Sequence, residues 1–281
     1  MSTSRQSVPV VLLSSAIALL ATVSSVLGLV APGIYSHETA NWTLQAQGQD
    51  VGNLVAVVVL MVSGLRYRAG SPRAGLVWFG TLLYFAYAFV VYAFAVHLNR
   101  LFLVYVAVLG LSVYGAVFAA RGLREQAWEF PSGGRRAFAA WTLLGTGLLF
   151  ALLWLSELVP ALLDGVTPLS LVEAGLGVNP IHVLDLGLVL PAFIASGVGA
   201  LRGSRLWLMA VACWLSFSVL MAASIVAAMA LMAAGGSASA AVPAILVSVV
   251  LVVSALAAWR YLGGTRTPAG DVSSETAGRT A

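Results

Sequence analysis

Leu101–Ala120 reads LFLVYVAVLGLSVYGAVFAA, bounded by Asn99-Arg100 on one side and Arg121 on the other. The run contains no charged residue, and a helix needs about 20 mostly apolar residues to cross the hydrocarbon core of a bilayer. This stretch is a transmembrane helix, and the rest of the chain repeats its pattern. Outward from it, similar runs occupy 75–97, 51–65 and 8–30 on the N-terminal side, and 137–159, 181–201, 206–233 and 241–262 on the C-terminal side. The run at 51–65 is short and opens on polar residues. The run at 8–30 is longer than the apolar core of a signal peptide, and Ala31-Pro32-Gly33 is a poor cleavage site, so it is read as a retained helix.

Composition agrees. Of 281 residues, 60% are hydrophobic and only 9% are charged, with a mean hydropathy of +0.98. Soluble domains carry about 25% charged residues, so a water-facing surface is excluded. The single cysteine, Cys213, and 28 glycines without a triplet period remove the disulfide-stapled and collagen-like classes. The expected fold is an all-α polytopic membrane bundle of about eight transmembrane helices in one domain, 1–262. A cytoplasmic connector (121–136) that can lie on the membrane surface joins its two parts, and a disordered tail spans 263–281.

The charges set the orientation. All 14 basic residues are arginines, against 10 acidic residues, for a net charge of +4. In a soluble protein that excess would point to nucleic acid. Here the arginines cluster between apolar runs, and flanking basic residues favour the cytoplasmic side. With eight spans and a cytoplasmic N-terminus, every arginine except Arg100 falls on the cytoplasmic face. Both termini are then cytoplasmic, as expected for a plasma-membrane protein, with the lipid bilayer as its partner and no nucleic acid.

A four-plus-four organisation is also visible. Residues 1–120 and 137–262 each run span, long outer loop, span, arginine-bearing turn, span, short outer turn, span. Asp50-Val51-Gly52 at the head of the second span matches Asp185-Leu186-Gly187 in the sixth, and Ser63-Gly64 matches Ser196-Gly197. Four spans are an even number, so two such halves would share one orientation.

The remaining polar residues gather at the opposite, extracytoplasmic end. His37, His97 and His182 fall there, with six of the ten acidic residues and Arg100. Polar groups near membrane depth usually face the bundle interior or a wet cavity, because facing lipid is costly. In Asn179-Pro180-Ile181-His182-Val183-Leu184-Asp185, Asn179 is a good N-cap and Pro180 suits the first helical position. His182 and Asp185 then share a face. Pro191 cannot donate to the carbonyl of Gly187, which predicts a break between them. Glu157, near the outer end of the fifth span, needs a partner or a proton if it is desolvated. Asp50 and Asn53 are the counterparts of Asp185, with helix capping as their plainer role. The candidate ligand-binding set is therefore Glu157, His182, Asp185, His97, Arg100, Asp50 and Asn53. The third span is crowded with aromatics, Phe79, Tyr84, Phe85, Tyr87, Phe89, Tyr92 and Phe94, with Tyr105 and Tyr114 on the fourth; they could line a ligand cavity, but helix packing is the more frequent explanation.

Metalloprotease, nucleophile-elbow, phosphate-loop and paired-cysteine motifs are absent, and the histidine spacing carries no ligand pattern. No cofactor or metal site is expected, and the sequence assigns no catalytic residue. The leading functional reading is binding or translocation of a small solute or ion through an outward-facing polar pocket. An enzyme acting at the outer leaflet and a non-catalytic interaction subunit are the alternatives.

The stretches Leu155–Leu163, Asn179–Leu186, Gly48-Gln49-Asp50 and Asn99–Tyr105 resemble segments of a group of bacterial multi-spanning integral membrane proteins with no assigned activity. The resemblance implies a membrane bundle and singles out the same outer-face residues.

Overall fold

The computed structural model describes residues 3–236 and 241–268. The helices, in chain order, are α1 (Thr3–Val30), α2 (Ala40–Arg68), α3 (Pro72–Ala95), α4 (Phe102–Arg124), α5 (Gly133–Asp164), the short α6 (Leu169–Ala174) and α7 (Pro180–Leu184). A π-helical turn, Asp185–Val189, joins α7 to α8 (Leu190–Leu201), and α9 (Arg205–Ala234) and α10 (Ala241–Gly264) follow. Counting α7 through α8 as one span, the described residues contain eight helices long and apolar enough to cross a membrane. The chain is an integral membrane protein.

Two boundaries differ from expectation. The second span begins at Ala40 rather than 51, because Thr39 caps it by accepting the Trp42 N–H. Its first three turns carry Asn41, Gln45, Gln49 and Asp50, which an apolar-run reading excludes. Packing admits them, since Gln49 and Asp50 find partners inside the bundle. The fifth span likewise runs on through Pro160 to Asp164, ending at Gly165, whose left-handed φ of 65° closes the helix. The long loops therefore shrink to 31–39 and 165–179.

The connector between α4 and α5 is packed on the bundle: residues 125–132 lay their aromatic side chains against the end of α10. Trp128 is buried, Phe130 stacks between it and Tyr261, and Glu129 exchanges both backbone hydrogen bonds with Arg266. The tail expected from 263 onward accordingly stays folded through this pairing, with Thr265 fully buried. Residues 269–281 lie outside the described residues.

Packing follows one pattern twice. α1 packs on α2, α2 on α3, α3 on α4, and α4 returns to α1. In the same way α5 packs on α8, α8 on α9, α9 on α10, and α10 returns to α5. Across the middle, α2 and α3 both pack on α9, while α3 touches α7 more lightly. The α2–α9 approach is close because α2 offers glycine: a Cβ at Gly48 would run into the Ala228 backbone, and one at Gly52 into Ser224. α3 is the most buried span and α10 the least. Leu12, Leu19, Leu103, Leu152 and Val252 project outward, as expected where lipid replaces water.

Candidate functional site

The sixth span folds as its sequence dictates at the start. Asn179 Oδ1 accepts the Ile181 N–H at 2.9 Å, and Pro180 occupies the first turn. The expected break is present as the π turn. Pro191 has no N–H for the Gly187 carbonyl, and the backbone widens just before it, with Leu190 N–H donating to the Asp185 carbonyl five residues back. Single π turns of this kind recur at functional sites because the extra residue re-aims neighbouring side chains.

Asp185 opens that turn. Its Oδ1 accepts the Tyr87 hydroxyl of α3 at 3.0 Å, and its Oδ2 accepts the Trp154 indole N–H of α5 at 2.8 Å. The carboxylate lines a cavity of about 160 Å³ between the two groups of four helices. Trp42, Tyr87, Phe150, Trp154, Phe193 and Phe217 supply aromatic walls, and Gln45 and Gln49 of α2 face Asp185 from the other group. Among the described residues, no Arg, Lys or His lines it.

Asp50 and Asn53 form a second polar cluster, fully buried beside the first. Asp50 Oδ2 accepts the Tyr35 hydroxyl at 2.7 Å and Oδ1 accepts that of Tyr92 at 2.8 Å. Gly28 of α1 makes room, since a Cβ there would collide with the Asp50 carboxyl and the Tyr35 hydroxyl. Asn53 donates to Ser25 Oγ at 3.2 Å and accepts from Tyr84 at 3.1 Å, and Gln49 donates to Tyr84 at 2.7 Å. Neither Asp50 nor Asn53 caps a helix; that task falls to Thr39. Tyr35, in the 31–39 loop, is pushed far above the ordinary phenol range by burial and then by the Asp50 carboxylate beside it, so it serves as a neutral donor. Tyr92 and Gln49 also reach the cavity wall, so the sealed Asp50 cluster abuts the cavity that Asp185 lines directly.

The other candidates lie elsewhere. His182 is buried with its ring against the Trp154 indole, 4.7 Å between centroids. It therefore stands behind a cavity wall rather than in it. Glu157 accepts the Ser170 hydroxyl near the start of α6. His97 pairs through Nδ1 with Glu38 at 3.0 Å, and its backbone N–H donates to the same carboxylate at 2.7 Å. That pair ties the 96–101 turn to the 31–39 loop. Arg100 is exposed on the same turn. Among the described residues, no three His, Cys, Asp or Glu side chains converge as a metal site.

No protein-family model, curated protein or solved structure matches this chain.

Of the sequence candidates, then, the structure puts Asp185 on the cavity wall, seals Asp50 and Asn53 in the cluster beside it, sets His182 against Trp154, and leaves Glu157, His97 and Arg100 outside. The residues that complete the site are Gln49, Tyr87, Tyr92 and Trp154. A faint signal existed for Gln49: with Gln45 it places two amides one turn apart in a membrane helix. Tyr87 and Tyr92 stood out only within the aromatic crowd of the third span and Trp154 not at all, because at that depth an aromatic side chain looks the same whether it packs a helix or holds a carboxylate.

Proposed function

We propose that the protein binds a small solute in the cavity beside Asp185 and moves it across the membrane. The observation that carries this reading is a carboxylate at a π turn, inside a membrane span, opening onto a cavity that no positive side chain lines among the described residues. Polar groups at membrane depth are costly unless they serve a partner or a pathway, and discontinuous helices of this kind line substrate sites in transporters. The repeated four-helix packing supports two halves of like orientation, with the cavity between them, where a rocking motion would alternately expose it. The arginine distribution supports an extracytoplasmic position for the Asp185 end, in a plasma membrane, and the likeness to bacterial membrane proteins fits that setting. An acid–base enzyme is less well supported, because His182 packs against the Trp154 ring and Glu157 is engaged by Ser170.

A cavity of about 150 Å³ accommodates a benzene-sized molecule. Thermal unfolding of the detergent-purified protein is therefore the test, with amines, alcohols and carboxylates of about six to ten non-hydrogen atoms. At least one raises the melting temperature of the wild type and has a diminished effect on Asp185→Asn. A series in which no compound shifts the wild type overturns the reading.

A further inference from the structure

The geometry points to a specific class of ligand: a small organic cation with an apolar body, its positive group at the Asp185 carboxylate and its body against the aromatic walls. This inference rests on the solute-binding reading and goes further by fixing the sign of the charge.

A carboxylate has about four acceptor positions, and an ionised one accepts without donating. Asp185 uses one position on Oδ1 for Tyr87 and one on Oδ2 for Trp154. Both donors are neutral, so they orient the carboxylate without cancelling its charge. Both oxygens keep a further acceptor position, and the residue lines the cavity. An anion there would meet like charge in a medium of low dielectric. A neutral apolar molecule would fill the walls but leave the carboxylate facing it unanswered, and burying an unanswered charge is costly. A cation answers it.

The walls match the same class. Trp42, Phe150 and Phe217 line the cavity together with Tyr87 and Trp154, whose polar tips hold Asp185. Aromatic faces attract ammonium groups, most strongly when both are desolvated. Most of the remaining lining is aliphatic or sulfur-bearing, including Met221, Met229 and Val250, which suits a hydrocarbon body, and its other polar side chains, among them Gln45, Gln49 and Thr146, are neutral. Asp50, the other nearby acid, is sealed by Tyr35 and Tyr92 and offers no competing anchor.

The test uses three probes of nearly equal shape, benzylammonium, benzyl alcohol and benzoate, titrated by calorimetry into the purified full-length protein in lipid nanodiscs. Benzylammonium is expected to bind at least about tenfold more tightly than benzyl alcohol, with benzoate weakest. Asp185→Asn is expected to bring ammonium and alcohol within about twofold of each other, and Glu157→Gln, off the cavity, to keep the wild-type preference. The wild-type probe series decides the question even if the Asn variant does not fold. Equal binding of ammonium and alcohol by the wild type, or tighter binding of benzoate, overturns the cation assignment and leaves the solute pocket standing. Binding of none of the three overturns the pocket as well.

Discussion

Asp50 and Asp185 are two carboxylates in matching sequence contexts, each followed two residues later by a glycine, and each accepts a phenol hydroxyl from α3. Tyr92 serves one and Tyr87 the other. Their fates differ completely. Asp50 is sealed, with Tyr35 closing its second oxygen, whereas Asp185 lines a cavity. The difference traces to the helix each one rides on. Beside Asp50, α2 packs so closely on α1 that a Cβ on Gly28 would strike its carboxyl, so no gap remains. The sixth span opens into a π turn, and a Cβ at Gly187 would meet nothing. The same local sequence gives a structural strut where helices press together and a cavity-lining group where they part.

That contrast can be broken at its tightest point first. Gly52→Val forces α2 away from α9 and should cost about 3 kcal/mol or more, the upper part of the overpacking range. The measurement is loss of the monodisperse peak in size-exclusion chromatography and a lowered midpoint in denaturant unfolding; an unchanged midpoint would mean the helices are not held by this contact. Next come the two acids themselves. Asp50→Ala strands the Tyr35 and Tyr92 hydroxyls in a dry interior, for an expected loss of about 2–3 kcal/mol. Asp185→Ala leaves Tyr87 and Trp154 beside a cavity that water can enter, for about 1 kcal/mol. Equal losses in the same unfolding assay would erase the distinction between strut and site. The smallest effect is expected at Gly187→Ala, where open space admits the methyl group and helix propensity favours it by up to about 1 kcal/mol. A destabilised variant there would show that the π turn depends on glycine rather than on Pro191.

The interaction between His97 and Glu38 makes a related point about the polar end of the bundle. Both residues were visible in the sequence as part of one polar end, yet that grouping does not separate a loop clamp from a ligand site. Their pairing ties two loops together, while the cavity lies among side chains of α2, α3, α5, α9, α10 and the sixth span. Nearness to one end of a membrane protein is a coordinate in one dimension, and a site needs three.

The amino-acid sequence by itself determined the architecture. Apolar runs of the length that crosses a bilayer leave a chain no other way to satisfy its backbone than helices, so the number of spans could be read directly. The break before Pro191 was equally legible, because a missing N–H is a property of one residue and its fourth neighbour. The tertiary structure alone decided how far α2 extends, since its polar first turns are tolerable only against partners from other helices. It also decided which acid is a strut and which lines a cavity, because that depends on how closely two helices approach, and the approach is set by side chains distant in the chain. Ser224 and Ala228 of α9 seat the glycines beside Asp50, and Tyr87 and Trp154 turn Asp185 toward the space left open on the other side.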